Sequence, residues 1–230
     1  MLVLFDIDGT LLRSRKAGLR AMQAALKDIH PGHEFDFAGV QTAGRLDPLI
    51  WRDLLEKHEI TPGDADHEHF RETYAEKLAD IIASEEAFIS LPGTLEAVAH
   101  VRDHEQATAA LLTGNYAETA WLKIEAAGFR REDFAFGTWG SEAPIRRGLP
   151  PVAIRRHHEH SGQDVSPRNV LIIGDTPADI DCARANGCRS LAVATGGYDL
   201  DELAAHEPDE LMSDLSETDR FHGIIDQLAP

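Results

Sequence analysis

Cysteine is nearly absent from this chain: 230 residues hold only Cys182 and Cys188. Their separation fits no metal or redox motif, and they read as two reduced thiols in or near a helix. Basic residues are also scarce, 22 against 40 acidic ones, for a formal net charge of −18. A nucleic-acid backbone or an anionic membrane surface needs a positive footprint, so neither is expected as a partner. A small anionic substrate needs only a local positive site and stays open. Long hydrophobic runs are missing too. The first apolar stretch stops at Asp6, and nothing approaches the roughly 20 residues of a membrane span. The expectation is a soluble, cytoplasmic protein, monomer or homodimer.

What is present is ordinary globular composition, 43% hydrophobic. A chain this long buries roughly 70–75% of its unfolded surface, so one large domain or a domain with an insertion is expected. "LVLF" at residues 2–5 reads as a buried strand. After Leu12 the pattern turns helical. Leu19, Met22, Leu26 and Ile29 share one helix face, as do Leu46, Leu49, Ile50 and Leu54, and again Phe70, Tyr74, Leu78, Ile81 and Ile82. Nothing between Arg13 and Phe88 resembles a buried strand. From residue 89 onward, helices alternate with apolar runs: "ATAALLTGN", "FAFGTW", "NVLIIGDTPAD" and "SLAVATGG". Such alternation predicts an α/β fold, a Rossmann-like parallel sheet with helices on both faces. Residues 1–12 and 89–230 form its core, and 13–88 form an all-helical insertion after the first strand. The acidic run "HEPDELMSDLSETD" reads as solvated surface, and Trp51, Trp121 and Trp139 as packing residues.

Three strand ends carry polar clusters: Asp6-Ile7-Asp8-Gly9-Thr10, Thr113-Gly114-Asn115, and Gly174-Asp175-Thr176-Pro177-Ala178-Asp179. Each alone is common turn material. Open α/β sheets bind ligands at the carboxyl ends of their strands, so together the three describe one crevice. Several carboxylates in one crevice require a cation, and all-oxygen ligands favour Mg²⁺. A carboxylate beside a Mg²⁺-bound phosphoryl group can attack phosphorus, and a second acid brought alongside by a turn can exchange the protons. Thr113, Asn115 and backbone N–H groups after Asp6 can hold phosphate oxygens.

These motifs resemble the haloacid dehalogenase superfamily, in its phosphoglycolate-phosphatase-like branch with a helical cap. The resemblance implies that Asp6 ("DIDGT") is the nucleophile and Asp8 the acid/base. In "LLTGN" it implies phosphate binding by Thr113, with Gly114 and Asn115. In "GDTPAD" it makes Asp175 a Mg²⁺ ligand together with the Asp6 carboxylate and the Asp8 backbone carbonyl, while Asp179 supports Mg²⁺-bound water. The acid at position 8 separates the chain from the dehalogenases themselves. The superfamily's third motif usually carries a lysine. Here the region reads "APIRRGLPPVAI", and aligning Pro151 with the family's proline selects Arg146 as the phosphate-side cation, with Arg147 as the alternative. In the insertion, Arg45 of "TAGRLDPLI" is a candidate substrate contact; the alternative makes it an exposed loop residue beside a helix capped by Asp47. Arg13, Arg15 and Lys16 are weaker candidates for the cleft mouth. His157 and His160, or His67 and His69, lack the further ligands a zinc site needs.

The implied activity is a Mg²⁺-dependent phosphatase of a small phosphorylated metabolite. Thr10 after Gly9 leans the same way, against a phosphomutase such as one acting on a sugar phosphate. A non-catalytic phosphate-sensing module is the other alternative, and retention of both Asp6 and Asp8 weighs against it.

Overall fold

A computed structural model describes residues 1–63 and 66–229. In chain order the elements are β1 (Leu2–Phe5), β2 (Leu12–Ser14), α1 (Ala17–Ile29), α2 (Asp47–Lys57), α3 (Asp66–Ser84), β3 (Phe88–Ser90), α4 (Thr94–Asp103), β4 (Thr108–Leu112), α5 (Ala117–Ala126), β5 (Gly137–Thr138), α6 (Leu149–Ser161), β6 (Val170–Gly174), α7 (Pro177–Ala185), β7 (Arg189–Val193), α8 (Leu200–Ala204), β8 (Glu210–Met212) and α9 (Thr218–Leu228). Six strands form one parallel sheet in the order β5-β4-β1-β6-β7-β8.

Strand β1 lies inside this sheet, with Leu2 and Phe5 paired to Thr108 and Leu111 on one side and to Val170 and Ile173 on the other. Its alternate residues feed two cores: Val3 and Phe5 pack with Leu111 and Ile173, while Leu2 and Leu4 pack with Leu112 and Ile172. A strand buried on both faces needs apolar residues at every position, which is why "LVLF" shows no alternation. From β1 the chain builds β4 and β5 on one side, then β6, β7 and β8 on the other. The order therefore reverses at β1, and a crevice opens at the carboxyl ends of β1, β4 and β6.

Helices α1, α2 and α3 lie between β1 and β4 in sequence. Met22 and Leu26 of α1, Ile50 and Leu54 of α2, and Phe70, Tyr74 and Leu78 of α3 are buried on the faces their spacing predicts. Two strands depart from the helical expectation for this region. At its ends, β2 and β3 pair antiparallel as a ribbon, Leu12 with Ser90 and Ser14 with Phe88. Three residues are too few to display a period, and the pairing joins segments far apart in sequence. The acidic run also departs from expectation: Glu210–Met212 forms the edge strand β8 on β7, and Met212 is buried. Pairing with β7 supplies what local propensity does not. The sequence also does not show α8.

Candidate active site

Asp6 leaves β1 still in register, its N–H bonded to the Ile173 carbonyl at 2.9 Å. The chain then turns sharply, with the Ile7 carbonyl accepting from the N–H groups of Thr10, Leu11 and Leu12. Gly9 makes this turn possible. Its φ is +84°, and a Cβ there would lie 2.4 Å from Asp175 Oδ2. Both the left-handed backbone and the close approach exclude any larger residue. The turn brings Asp8 to the same crevice as Asp6 but aims it elsewhere.

Asp6, Asp175 and Asp179 are buried, and a carboxylate oxygen from each lies within 4.8 Å of the others. Asp179 stands in the first turn of α7. Its Oδ2 accepts from the Thr176 N–H at 3.1 Å and the Thr176 hydroxyl at 2.6 Å, which ties the helix start to the residue before it. Arg146, buried just before α6, donates from Nη2 to Asp179 Oδ1 and forms an ion pair with Asp6 Oδ2 at 3.0 Å. One guanidinium facing three acids does not balance them. Burial raises the Asp6 pKa to about 6, with Asp179 and Asp8 adding to the rise and Arg146 opposing it. Burial, then Asp179 and Asp6, push Asp175 well above the ordinary carboxylate range. Three buried all-oxygen ligands with excess negative charge suit a small hard cation. Arg147, by contrast, is exposed and paired with Asp181 at 2.6 Å.

At the end of β4, Thr113 Oγ1 accepts from Asn115 Nδ2 at 2.7 Å, and Asn115 Nδ2 also donates to Asp8 Oδ2 at 2.9 Å. Lys123 of α5 completes the group. Its Nζ donates to Asp8 Oδ2 at 2.7 Å and to Asn115 Oδ1 at 2.5 Å. The Asp8 carboxylate thus belongs to a Lys123–Asn115 cluster, and the metal-capable trio does not include it.

The loop before α2 crosses the crevice. The Asp47 N–H donates to the Gly114 carbonyl at 2.7 Å, and a Cβ on Gly114 would lie 2.2 Å from the Arg45 carbonyl oxygen. Only a residue without a side chain lets these two backbones meet. Arg45 lines the cavity, but Nη2 pairs with Asp53 and Nε is buried without a partner. It is thus neither a fully exposed loop residue nor an unengaged cation. Asp47 is not the cap of its own helix, since Leu46 precedes α2 and Asp47 is its first residue. Its carboxylate turns across to the core and accepts from the Tyr116 N–H at 3.2 Å.

These groups surround a cavity of about 230 Å³. Its floor is Asp6, Asp8, Thr113, Asn115, Lys123, Arg146 and Asp175; Leu19, Met22, Ile50 and Tyr74 from the helical insertion form its apolar side. Lys16 reaches the lining, while Arg13 and Arg15 do not. Two participants, Lys123 and Asp47, escaped the sequence motifs. Lys123 did leave a signal, because it shares the buried stripe of α5 with Thr119, Ala120 and Ile124, a place where an unpaired ammonium is costly. Among the described residues the histidines contribute no metal-capable group; His67 instead bonds the Tyr116 hydroxyl at 2.8 Å. No helix among the described residues is long and apolar enough to cross a membrane.

The chain is 28% identical over 220 residues to a 5'-nucleotidase from Pseudomonas aeruginosa, covering 93% of this chain and 91% of that protein. A hydrolase from Pseudomonas syringae shares the fold with a TM-score of 0.72 at 20% identity, over 99% of both chains. CbbY from Rhodobacter sphaeroides, in complex with phosphate, does so with a TM-score of 0.72 at 18% identity, over 94% of this chain and 95% of that one. Residues 1–199 match the model of the haloacid dehalogenase-like hydrolases. That match runs through all three polar strand ends and the helical insertion between the first two, and the chain belongs to the haloacid dehalogenase-like hydrolase family.

Proposed function

We propose that this protein is a Mg²⁺-dependent phosphatase of small phosphorylated metabolites, acting through a phosphorylated Asp6. The observation that carries the reading is the shared crevice. Asp6 faces the same cavity as the Asp8 acid, the Thr113–Asn115 donors and the Arg146 cation. Asp6 attacks phosphorus from the end of β1, a rigid position set by pairing on both sides. Thr113, the Gly114 backbone and Asn115 hold phosphate oxygens, and Arg146 offsets charge between Asp6 and the phosphate. Asp8 gives a proton to the leaving oxygen and then takes one from the attacking water.

The carboxylates of Asp6 and Asp175 and the Asp8 backbone carbonyl would hold Mg²⁺, with Asp179 supporting from α7. Bound Mg²⁺ supplies Lewis-acid polarisation of the phosphoryl group and relieves the repulsion among the acids. Residues 13–88 serve as a cap over a core of 1–12 and 89–230, with Arg45 contributing to substrate choice. Buried, unpaired Cys182 and Cys188 suit the reducing cytoplasm.

The test is phosphate release from a panel of phosphomonoesters with Mg²⁺. The panel includes phosphoglycolate, sugar phosphates and nucleoside 5'-monophosphates, the last because of the 5'-nucleotidase relative. Release that persists unchanged in Asp6→Asn refutes the nucleophile. An isomerised ester in place of free phosphate identifies a mutase, and a phosphoaspartate that forms without turning over identifies a sensor.

A further inference from the structure

Lys123 belongs to none of the three motifs, yet its side chain is only 6% exposed and its ammonium touches two motif residues. Lys123 Nζ, Asn115 and Asp8 close a triangle of hydrogen bonds at 2.7, 2.5 and 2.9 Å. The Asp8 side chain is 39% exposed and follows a tight turn. Among the described residues its carboxylate has no side-chain partners other than Lys123 and Asn115. Without them an aspartate on such a turn has several open rotamers.

The insertion is shaped around the same ammonium. A Cβ on Gly18 of α1 would lie 3.3 Å from both Lys123 Nζ and Tyr74 Oη. Glycine at this helical position leaves the room in which Nζ sits between Asp8 and the cap.

We infer that Lys123 is a positioning residue for proton transfer, holding the Asp8 carboxylate at the leaving-group oxygen. The inference rests on the phosphatase reading, in which Asp8 is the acid/base. In the first half-reaction an Asp6 oxygen bonds phosphorus as the ester P–O bond breaks, and the Asp8 proton passes to the leaving oxygen. The carboxylate left behind is the form that Lys123 and Asn115 receive as donors. In the second half-reaction water attacks phosphorus, the Asp6–phosphorus bond breaks, and Asp8 takes the water proton. Lys123 keeps its own protons throughout and acts only through Asp8.

The experiment compares wild type, Lys123→Met, Asp8→Asn and the double variant on two esters. p-Nitrophenyl phosphate has an acidic leaving group needing little protonation; glycerol phosphate has an alkoxide leaving group needing it fully. Lys123→Met is expected to lower kcat on glycerol phosphate about 100-fold, within the range of general acid catalysis, and on the nitrophenyl ester less than about tenfold. KM stays within about threefold on both, since the lost interaction is not uniform binding. In the Asp8→Asn background the same change costs less than about twofold, because the two residues act as one unit. Gly18→Ala, which crowds Nζ without removing it, gives a smaller loss with the same preference for the alkyl ester. That variant also covers the case in which Lys123→Met fails to fold. Equal losses on both esters, a raised KM with unchanged kcat, or additive losses with Asp8→Asn overturn the inference and make Lys123 a phosphate contact. Wild-type enzyme that releases no phosphate, or does so without Asp6, defeats the phosphatase reading and this inference with it.

Discussion

The carboxylate of Asp47, the first residue of α2, accepts a hydrogen bond from the backbone N–H of Tyr116 at 3.2 Å. The bond ties the helical insertion to the loop that follows β4, directly above Thr113–Asn115. It also buries an acid. Desolvation raises the Asp47 pKa from the ordinary 3.8 to about 7, against the attraction of Lys123. An acid raised on folding binds a proton that the unfolded chain releases between those two values. Stability is therefore lost as pH rises through that window. Asp47→Asn keeps an acceptor for the Tyr116 N–H and removes the titration. Chemical denaturation should show the variant equal to wild type near pH 4 and increasingly more stable up to pH 7. At 1.36 kcal/mol per unit the gain reaches at most about 4 kcal/mol. A difference that does not change with pH would disprove the account.

Arg146 is the cation built into the acid trio. Removing one partner of a buried ion pair typically costs about 3–5 kcal/mol, because the other charge is left unpaired. Arg146→Met should lower the melting temperature by roughly 10 °C for a chain of this size. Added Mg²⁺ should recover more stability in the variant than in wild type, since the acids it leaves exposed to one another favour a cation. Differential scanning calorimetry with and without Mg²⁺ measures both effects.

Mg²⁺ should stabilise the wild-type protein and Asp175→Asn should not respond. Ligand that binds only the folded state at 100 times its Kd adds about 2.7 kcal/mol. Activity is expected to vanish in EDTA and return with Mg²⁺. A wild-type melting curve indifferent to Mg²⁺ would argue against an ion held by Asp6 and Asp175.

Arg45 lines the cavity while paired to Asp53, each side chain about a quarter exposed, at 28% and 25%. Arg45→Ala should raise KM or reorder substrate preference, by about tenfold for a lost charged hydrogen bond, with kcat little changed. Asp53→Asn leaves the guanidinium in place and should alter preference less. Identical profiles for Arg45→Ala and wild type across the ester panel would remove Arg45 from substrate selection.

Much of this site was legible in the sequence for local reasons. "LVLFDIDGT" joins an apolar strand to two acids through a turn that needs Gly9, and a few consecutive residues carry all of that information. The same holds for Thr113-Gly114-Asn115 after β4, and for Asp175 and Asp179 around the start of α7. Other features depended on distant pairing. β8 lies within an acidic run and exists because β7 offers it an edge, and β2 with β3 forms because the insertion brings its ends together. Asp47 reads as an N-cap from its neighbours alone, yet it bonds Tyr116 because the insertion docks on the core.

Local chemistry in the sequence by itself determined the parallel α/β sheet, the helical insertion and the convergence of three acidic or hydroxyl-bearing strand ends. Periodicity and turn residues act over a few positions, so they survive in one dimension. Tertiary structure alone decided which lysine holds Asp8 and what Asp47 binds, and it set Arg146, the arginine that the proline alignment selects, against Asp6. Those choices depend on which buried charges come within hydrogen-bonding distance once α2, α5 and α6 have packed. A charge in the interior is tolerated only beside its partner, and the partner's place in the chain is set by the fold.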